Sequence, residues 1–484
     1  MLNSKMTNGE NFEKLMLKNF VHEPTSGQSK LIKQLTAFCF SEKENCVFLL
    51  KGYAGTGKTS IVGALVSTLP TFNISYVLLA PTGRAAKVLS NYSRKPAFTI
   101  HKKIYKPKVD KEAGAALFVL QPNKHEQTIF IVDEASMIGD GNSSKDEAIS
   151  GNQSLLDDLM RYVAQGKNCK LLFIGDTAQL PPVGLEQSPA LDLTYLKHAF
   201  PVTIHATELT EVMRQAEESG ILTNATALRF AIKMQQEGIP KFSLNSFNDI
   251  AHINGNELIE NLESAFRKFG EEGTMMICRS NKRANGYNQQ IRNQILWRET
   301  ELAEGDLLMV VKNNYYWLPE DAKADFIANG DIVQIKRIKK FSEKHGFRFA
   351  DVTIKMLDYT DDSEFDVKLL LSTIQSEAPA LTYSENNKLY QSVAAEYSNE
   401  PNKSKRFLKI KADPFFNALQ VKFAYAVTCH KAQGGQWPCV FVEQGYITEE
   451  MINAEFLRWL YTAVTRASEK LYLVNFTADF FHAD

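Results

Sequence analysis

Residues 48–60, FLLKGYAGTGKTS, join an apolar run to a segment with three glycines, the last of which is followed by a lysine and a threonine. Gly52 is followed by four residues and then by Gly57, Lys58 and Thr59, which is the spacing of a phosphate-binding P-loop. The glycines let backbone N–H groups face phosphates, while the lysine supplies a charge and the hydroxyl a Mg²⁺ ligand. The stretch predicts ATP binding by Gly52, Ala54, Gly55, Thr56, Gly57, Lys58, Thr59 and Ser60, with Thr59 also on Mg²⁺.

A pair of acids follows a second apolar run, in IFIVDEAS at residues 129–136. Asp133 is suited to the Mg²⁺ shell, and Glu134 is placed where a carboxylate can orient and deprotonate an attacking water. Adjacent acids after a strand are otherwise a common helix cap or surface feature. In company with the P-loop, the pair predicts hydrolysis of ATP.

Three further side chains complete the predicted catalytic set. Gln179, in FIGDTAQLPPVG, has an amide that could sense the γ-phosphate, and Pro181 and Pro182 restrict the backbone beyond it. Arg214 and Arg466 could each stabilise the charge of phosphoryl transfer, although either alone could be a surface ion pair. Since Arg466 belongs to a different part of the chain, it can reach ATP only if the nucleotide lies between two domains.

These residues need strands and helices to position them, and the sequence indicates two α/β domains. Between about 24 and 215, apolar strands alternate with helical patterns, which is typical of a doubly wound parallel sheet. A second set of such strands is predicted near 273–281, 423–430, 439–445 and 470–476. The β-rich stretch between them predicts an inserted small β-barrel with a helical appendage. Polar residues end each strand, which is where ligands bind in such sheets.

Composition excludes several classes of protein. The 484 residues carry a net charge of −1, so a globally basic nucleic-acid binder is excluded, although a local groove can still be positive. The six cysteines form no CxxC pair, which predicts reduced and mostly buried thiols. No apolar run reaches the roughly 18 residues of a membrane span, so we expect a cytoplasmic protein without a membrane partner.

Nine ordered motifs resemble those of superfamily 1 helicases, most closely the 5′-to-3′ branch with RecD-type and phage Dda-type DNA helicases. The motifs are TSGQ, GYAGTGKT, APTGRAAKVL, TIHK, VDEAS, GDTAQLPPVG, VMRQ, YAVTCHKAQGGQW and LYTAVTRA. The resemblance implies two RecA-like domains with an inserted β-hairpin and an inserted SH3-like barrel. The predicted parts are an N-terminal extension (1–23), domain 1A (24–215, with the hairpin at about 103–127), domain 2A (216–300 and 421–484) and the 2B insertion (301–420).

The resemblance also assigns roles to residues outside the P-loop. Gln28 is implied to read adenine, with a helix-surface glutamine as the alternative, and Gln433 and Gly434 are implied to face the nucleotide. Contacts with the DNA backbone are implied for Pro81, Thr82, Thr99, His101, Thr428, His430 and Lys431. His430 could otherwise be a core histidine.

The insertions leave three questions open. Phe118 is either a wedge at the tip of the hairpin or a buried anchor within it. KRIKK at 336–340 either contacts phosphates or forms a solvated strand face, and YYW at 315–317 either stacks on bases or is buried in the barrel.

The predicted function is an ATP-dependent DNA helicase that moves 5′ to 3′ on single-stranded DNA and opens forked or tailed duplexes. Its implied cofactors are ATP and Mg²⁺, and it is expected to act as a monomer, recruited by proteins of replication, recombination or repair. Two alternatives remain at this point: a translocase that strips proteins or remodels RNA, and a P-loop regulatory ATPase that binds a protein.

Overall fold

The computed structural model describes residues 2–20, 22–109, 116–140, 154–212, 218–236, 238–244, 247–318, 326–357 and 364–482. Two parallel sheets, a closed barrel and a two-stranded hairpin make up its β-structure. The predicted α/β fold with two inserted β-elements is confirmed.

The first sheet has six strands in the order β3-β2-β6-β7-β1-β8, all paired in parallel. Its strands are β1 Cys46–Gly52, β2 Ser75–Ala80, β3 Ala97–Thr99, β6 Thr128–Val132, β7 Lys170–Gly175 and β8 Thr203–Leu209. Five of them were predicted, while the three-residue β3 was missed because so short a run has no periodicity. Its central strands are buried along their length because helices cover both faces of the sheet.

Helices of the first half pack on the two faces of this sheet. They are α1 Leu2–Asn19, α2 Ser26–Cys39, α3 Lys58–Thr68, α4 Gly83–Ser93, α5 Ile100–Ile104, α6 Leu155–Ala164 and α7 Leu193–Ala199. Residues 1–23, predicted as an extension, contain α1, whose Phe12 and Met16 are fully buried in the same core as α2 and α3. A separate core on the other face holds residues of α6, including Leu156 and Tyr162.

The second sheet has five parallel strands in the order β16-β10-β17-β18-β9. Its strands are β9 Ile250–Ile253, β10 Thr274–Cys278, β16 Ala426–Thr428, β17 Trp437–Glu443 and β18 Ala467–Val474. Its helices are α8 Gly220–Lys233, α9 Leu258–Phe269, α10 Asn281–Gln294, α13 Cys429–Ala432 and α14 Ala454–Val464.

The barrel is closed by five strands: β11 Leu307–Val310, β12 Ile332–Lys344, β13 Phe347–Met356, β14 Glu364–Leu370 and β15 Leu419–Phe423. Helices α11 Tyr383–Glu396 and α12 Lys403–Lys411 lie between its last two strands and form the predicted appendage. The strand predicted over 423–430 is present in the second sheet, but only as the three residues of β16. The chain divides there, because β15 pairs with β11 and β14 in the barrel whereas β16 pairs with β10 in the second sheet.

The hairpin consists of β4 Tyr105–Val109 and β5 Ala116–Leu120, paired antiparallel from Tyr105↔Leu120 to Val109↔Ala116. It starts directly after α5, so its root is attached to the first domain. None of the helices in the described part of the chain has the length and apolar character needed to cross a membrane. All six cysteines are buried free thiols, as predicted.

Candidate nucleotide cleft and nucleic-acid groove

The P-loop connects β1 to α3 and depends on glycine at its turns. Gly55 and Gly57 have φ of 75° and 83°, a region that other residues adopt only with strain. A Cβ on Gly52 would lie 2.9 Å from Thr56 Oγ1. Lys58 Nζ donates hydrogen bonds to the carbonyl oxygens of Gly52 and Tyr53 at 2.6 and 2.9 Å. The sequence therefore forms a tight loop with the lysine ammonium held over it.

Thr59 and Ser60 lie in the first turn of α3, where backbone N–H groups are not used within the helix. Thr59 is exposed, so its hydroxyl is accessible at the loop. The predicted phosphate-binding residues are thus brought together in one segment at the carboxyl end of β1, as in other parallel sheets that bind nucleotides.

Asp133 and Glu134 follow β6, one of the strands of the same sheet. Asp133 Oδ1 accepts the backbone N–H of Glu134 at 2.8 Å, and its Oδ2 accepts the Tyr92 hydroxyl at 2.5 Å. Glu134 has a φ of 52°, which turns the chain sharply after the strand. Burial raises the pKa of the Glu134 carboxyl, while the charge of Arg466 acts in the opposite direction.

Arg466 reaches this cleft from the second domain. It lies just before β18, and its Nη1 is 3.9 Å from Glu134 Oε1. The guanidinium is 3% exposed and donates to the carbonyl oxygens of Thr462 and Gly435 at 3.0 and 3.1 Å. A surface ion pair, the alternative interpretation, is excluded by this burial. The cleft between the two sheets therefore contains groups from both.

Gln179 lies in the loop after β7 and is 6% exposed. Its side-chain Oε1 is buried without a hydrogen-bond partner among the described residues. An unpaired buried amide oxygen is costly, and such atoms are most often explained by a ligand or ordered water. Gln179 lies beside a contact between the domains, because the N–H of its neighbour Leu180 donates to Thr462 Oγ1 of α14 at 2.8 Å. Its sensing of the γ-phosphate stays a prediction.

Two residues of the cleft were not among the predicted site residues: Tyr461, which contacts the P-loop from the second domain, and Asp176 of the first domain, which is bonded to Tyr461. The N–H of Ala54 donates to the Tyr461 hydroxyl at 2.9 Å, and that hydroxyl donates to Asp176 Oδ2 at 2.5 Å. Burial and the Asp176 charge hold the pKa of Tyr461 well above its usual value. Asp176 lies in the motif GDTAQLPPVG and Tyr461 in the motif LYTAVTRA, so the motifs offered a signal for both residues.

Gln28 is bonded to the P-loop rather than placed on a helix surface. It is 1% exposed, and its Nε2 donates to the carbonyl oxygen of Thr56 at 3.0 Å. Its Oε1 accepts the N–H of Thr25 and completes a capping box at the start of α2. The surface alternative is wrong, and adenine recognition stays a prediction. Arg214, the remaining predicted catalytic residue, lies outside the described residues.

Gln433 and Gly434 lie at a contact between the domains. Gln433 Nε2 donates to Leu180 O at 2.6 Å, and the side chain also lines the groove described below. Gly434 has a φ of 73°, and a Cβ there would be 2.8 Å from Ala85 Cβ of α4. Only glycine therefore fits between this turn and α4, and the predicted nucleotide contact of both residues remains a prediction.

A groove of about 380 Å³ runs across the first domain, the second domain and the barrel. Six of the predicted nucleic-acid contacts line it: Pro81, Thr82, Thr99, His101, His430 and Lys431. Thr82 and Thr99 are the N-caps of α4 and α5, and their hydroxyls accept backbone N–H groups. Thr428 is the N-cap of α13, next to His430, which is exposed and so is not a core histidine. Two parallel sheets thus direct helix N-termini toward one groove.

The barrel contributes a wall of this groove that the sequence analysis did not anticipate. Asn313, Phe326 and residues 328–330 line it from the β11–β12 connection. Lys431 Nζ donates to Asn329 Oδ1 at 2.6 Å. Burial lowers the pKa of Lys431 to about 8 and that of His101 to about 4.

The alternatives that the sequence left open for the two insertions have different outcomes. Phe118 pairs with Pro107 in the middle of the hairpin strands, and therefore does not lie at their connecting turn. Tyr315 and Tyr316 are 39% and 37% exposed, so burial of these two rings in the barrel is wrong. In KRIKK, Arg337, Lys339 and Lys340 are exposed, and Lys339 pairs with Asp366 at 2.5 Å. This favours a solvated strand face.

Two protein families match the chain in the order that the motifs predict. Residues 24–237 match an AAA domain, and residues 423–474 match the UvrD-like helicase C-terminal domain. Over 488 residues the chain is 24% identical to the ATP-dependent DNA helicase dda of Enterobacteria phage T4, covering 93% of this chain and 99% of that protein. The chain is thus similar in sequence to DNA helicases of the RecD and Dda types.

A second relative is a longer protein than this chain. The ATP-dependent RecD2 DNA helicase of Deinococcus radiodurans is 23% identical over 436 residues, which cover 88% of this chain but 46% of that protein. The crystal structure of a Bacteroides Pif1 helicase with ADP-AlF3 and single-stranded DNA is 15% identical, with a TM-score of 0.47, and covers 96% of this chain and 95% of its own.

Proposed function

We propose that this protein is an ATP-dependent DNA helicase that moves 5′ to 3′ along single-stranded DNA and unwinds duplex DNA. The observation that carries the proposal is that both domains contribute to two adjacent sites. Arg466 and Tyr461 of the second domain reach the P-loop side of the cleft, and His430 and Lys431 share a groove with Thr82 and Thr99 of the first. A change in the separation of the two domains at the cleft must therefore also change the shape of the groove.

Within the cleft, each side chain has a distinct part in hydrolysis. Bound ATP supplies the phosphoanhydride bond whose cleavage drives the cycle. Lys58 exchanges its bonds to the loop carbonyls for phosphate oxygens, and Arg466 stabilises the charge that develops on them. Glu134 orients the water and accepts its proton, and its raised pKa makes it a stronger base than an ordinary glutamate.

The residues present fit a divalent cation, which we propose to be Mg²⁺. Thr59 offers an exposed hydroxyl and Asp133 a carboxylate, and hard oxygen ligands of this kind are what Mg²⁺ prefers. Each Asp133 oxygen accepts one protein hydrogen bond and so keeps a further lone pair. Thr59 and Asp133 would hold the ion between the P-loop and β6.

Hydrogen bonds connect the domains at the cleft, among them Ala54 to Tyr461, Leu180 to Thr462, and Gln433 to Leu180. Opening the cleft breaks them, so the closed state needs a compensating interaction with nucleotide. Since the groove lies across the same two domains, closure shortens the distance between its two sets of backbone contacts. Alternating grip on the strand then converts hydrolysis into steps.

The groove suits a strand of any sequence, since threonine hydroxyls, helix N-termini and a lysine contact phosphates rather than base edges. We propose single-stranded DNA and tailed or forked duplexes as substrates and a monomer as the active species. Recruitment by replication or repair proteins is part of the same proposal.

The test uses one preparation and three substrates: a single strand, a duplex with a 5′ tail and a duplex with a 3′ tail. We expect single-stranded DNA to stimulate ATP hydrolysis, and strand displacement only from the 5′-tailed duplex. Stimulation without displacement would indicate a translocase that does not unwind. Hydrolysis indifferent to DNA would contradict the proposal in favour of a protein-regulated ATPase.

A further inference from the structure

A basic pocket lies at the root of the hairpin, apart from the cleft and the groove. It has a volume of about 380 Å³ and is lined by Lys103, Lys106, Lys124 and His125, together with Gln121, Pro122 and Tyr162. No carboxylate in the described part of the chain pairs with any of the three lysines. The nearest acid along the chain, Glu126, pairs instead with Lys167 at 3.5 Å.

The charges in this pocket repel one another. Burial lowers the pKa of Lys103, and burial together with the Lys103 charge lowers the pKa of His125. Three ammonium groups around one cavity, without a carboxylate to neutralise them, raise the free energy of the unoccupied pocket. An anion with several charges in a row would offset this cost.

The pocket is held rigidly in shape. Gln121 N–H donates to the carbonyl oxygen of Ile104 at 2.9 Å, which joins the end of β5 to α5. Asn123 Nδ2 donates to the carbonyl oxygen of Tyr162 at 3.0 Å, and the His125 ring packs edge-on against Phe130. Lys103, Lys106 and Lys124 therefore project from fixed backbone at the root of both hairpin strands.

The basic pocket and the groove lie close together along the chain but on different sides of the hairpin root. His101 lines the groove and Lys103 lines the basic pocket, and both belong to the five-residue helix α5. Residues two apart on a helix do not face the same side. The hairpin begins at the end of α5, so the groove and the basic pocket lie on different sides of its root.

We propose that the basic pocket binds the phosphate backbone of the second strand of a forked DNA, while the first strand lies in the groove. This inference rests on the proposed function and adds to it a binding site for the second strand. The hairpin root then separates two strands that are each held by the protein, so the displaced strand is kept from re-pairing. An acidic protein segment is the competing occupant, and the experiment below distinguishes the two.

The test compares a triple variant, Lys103→Gln with Lys106→Gln and Lys124→Gln, with a matched control, Lys14→Gln with Lys18→Gln and Lys33→Gln. The control lysines are exposed on α1 and α2, whose core lies on the opposite face of the sheet. Affinity for a single strand and for a fork is measured over a range of salt concentrations. A charge-preserving triple variant with arginine at 103, 106 and 124 serves as the rescue.

We expect the glutamine triple variant to lose fork affinity at least several-fold and to show a shallower dependence on salt. The log–log slope should decrease by about 2 to 3, since each lost phosphate contact is worth about 0.7 to 0.9. Single-strand affinity and single-strand-stimulated hydrolysis should match those of the control, and the arginine variant should bind forks normally.

Unchanged fork affinity in the triple variant would overturn the inference and leave an acidic protein as the occupant. An equal loss on single strands and forks would also overturn it, by assigning the pocket to the first strand. These results are distinguishable from failure of the proposed function, because in that case the unaltered protein would show no hydrolysis stimulated by DNA.

Discussion

Among single residues of the cleft, the proposed function gives binding and hydrolysis to different side chains. Lys58, whose ammonium lies over the P-loop, is proposed to bind phosphate, and Glu134 is proposed to act on the water. Removing an interaction that exists in the ground state affects binding, and removing one used only in the transition state affects turnover. The two residues should therefore have separable defects.

We expect Glu134→Gln to reduce ATP hydrolysis by at least about 100-fold, the scale on which a general base contributes, while nucleotide affinity stays near normal. Lys58→Ala should lose both affinity and turnover. Nucleotide titration and a steady-state assay on the two variants decide the matter. Undiminished turnover in either one would contradict its catalytic assignment.

Tyr461 is the residue that connects the P-loop with Asp176. In Tyr461→Phe, the Ala54 N–H and the buried Asp176 carboxylate both lose a partner. Each unsatisfied buried group costs about 1–3 kcal/mol. We expect a lower thermal midpoint and a turnover reduced more than nucleotide affinity, measured on one preparation. Tyr446→Phe, at an 81% exposed position, is the control and should change neither.

At the scale of elements, α13 and the β11–β12 connection form one side of the groove, and Lys431 joins them through Asn329. Its pKa of about 8 means that the ammonium is charged below that pH and neutral above it. Charged lysine attracts phosphates and neutral lysine does not. The groove therefore has a titratable contact within an ordinary working range of pH.

We expect affinity for single-stranded DNA to fall as the pH rises through about 8. In Lys431→Arg the guanidinium stays charged, so this decline should disappear. Binding isotherms at three pH values, at constant ionic strength, compare the two proteins. A decline of the same size in both would assign the titration to another group.

The structure gives the backbone pairing of the hairpin, and its role in strand separation is a prediction. Phe118 lies mid-strand opposite Pro107. If its ring separates the strands, Phe118→Ala should abolish most fork unwinding while leaving single-strand-stimulated hydrolysis near normal. If it is a buried anchor, the loss of a core phenylalanine costs about 3–5 kcal/mol and all activities decline together. Melting temperature, hydrolysis and unwinding of one preparation separate these results.

At the scale of the whole molecule, the barrel is inserted into the second domain, and a buried ion pair lies at the join. Arg292 of α10 donates to both carboxylate oxygens of Asp306 at 3.1 and 3.0 Å, and both side chains are at most 1% exposed. Asp306 directly precedes β11, and the N–H of Ala303 also donates to it at 2.8 Å. The pair holds α10 against the start of the barrel.

We expect Asp306→Ala to destabilise the protein by about 3–5 kcal/mol, because it leaves the Arg292 guanidinium buried without its partner. Glu263→Ala removes an exposed pair with Arg267 and should cost no more than about 1 kcal/mol. Urea denaturation of both variants measures the difference. Similar small effects would mean that water replaces the carboxylate at the join.

Local sequence patterns predicted the residues of the cleft, and the resemblance to helicase motifs predicted those of the groove. Glycine spacing predicted the P-loop, apolar runs predicted nine strands of the two sheets, and the position after such a run predicted Glu134. Thr82 and His430 were implied by the resemblance. Residues that follow different strands lie near one another because a parallel sheet directs the carboxyl ends of all its strands to one edge.

Contacts between separate parts of the chain follow from tertiary packing and have no local sequence signal. Ala54 and Tyr461 are 407 residues apart, and Lys431 and Asn329 are 102 apart. Tertiary packing also closes the barrel with β15. It likewise brings Lys103, Lys106 and Lys124 to one pocket. No local pattern encodes such pairs, because they depend on how sheets, barrel and hairpin pack against one another after each has formed.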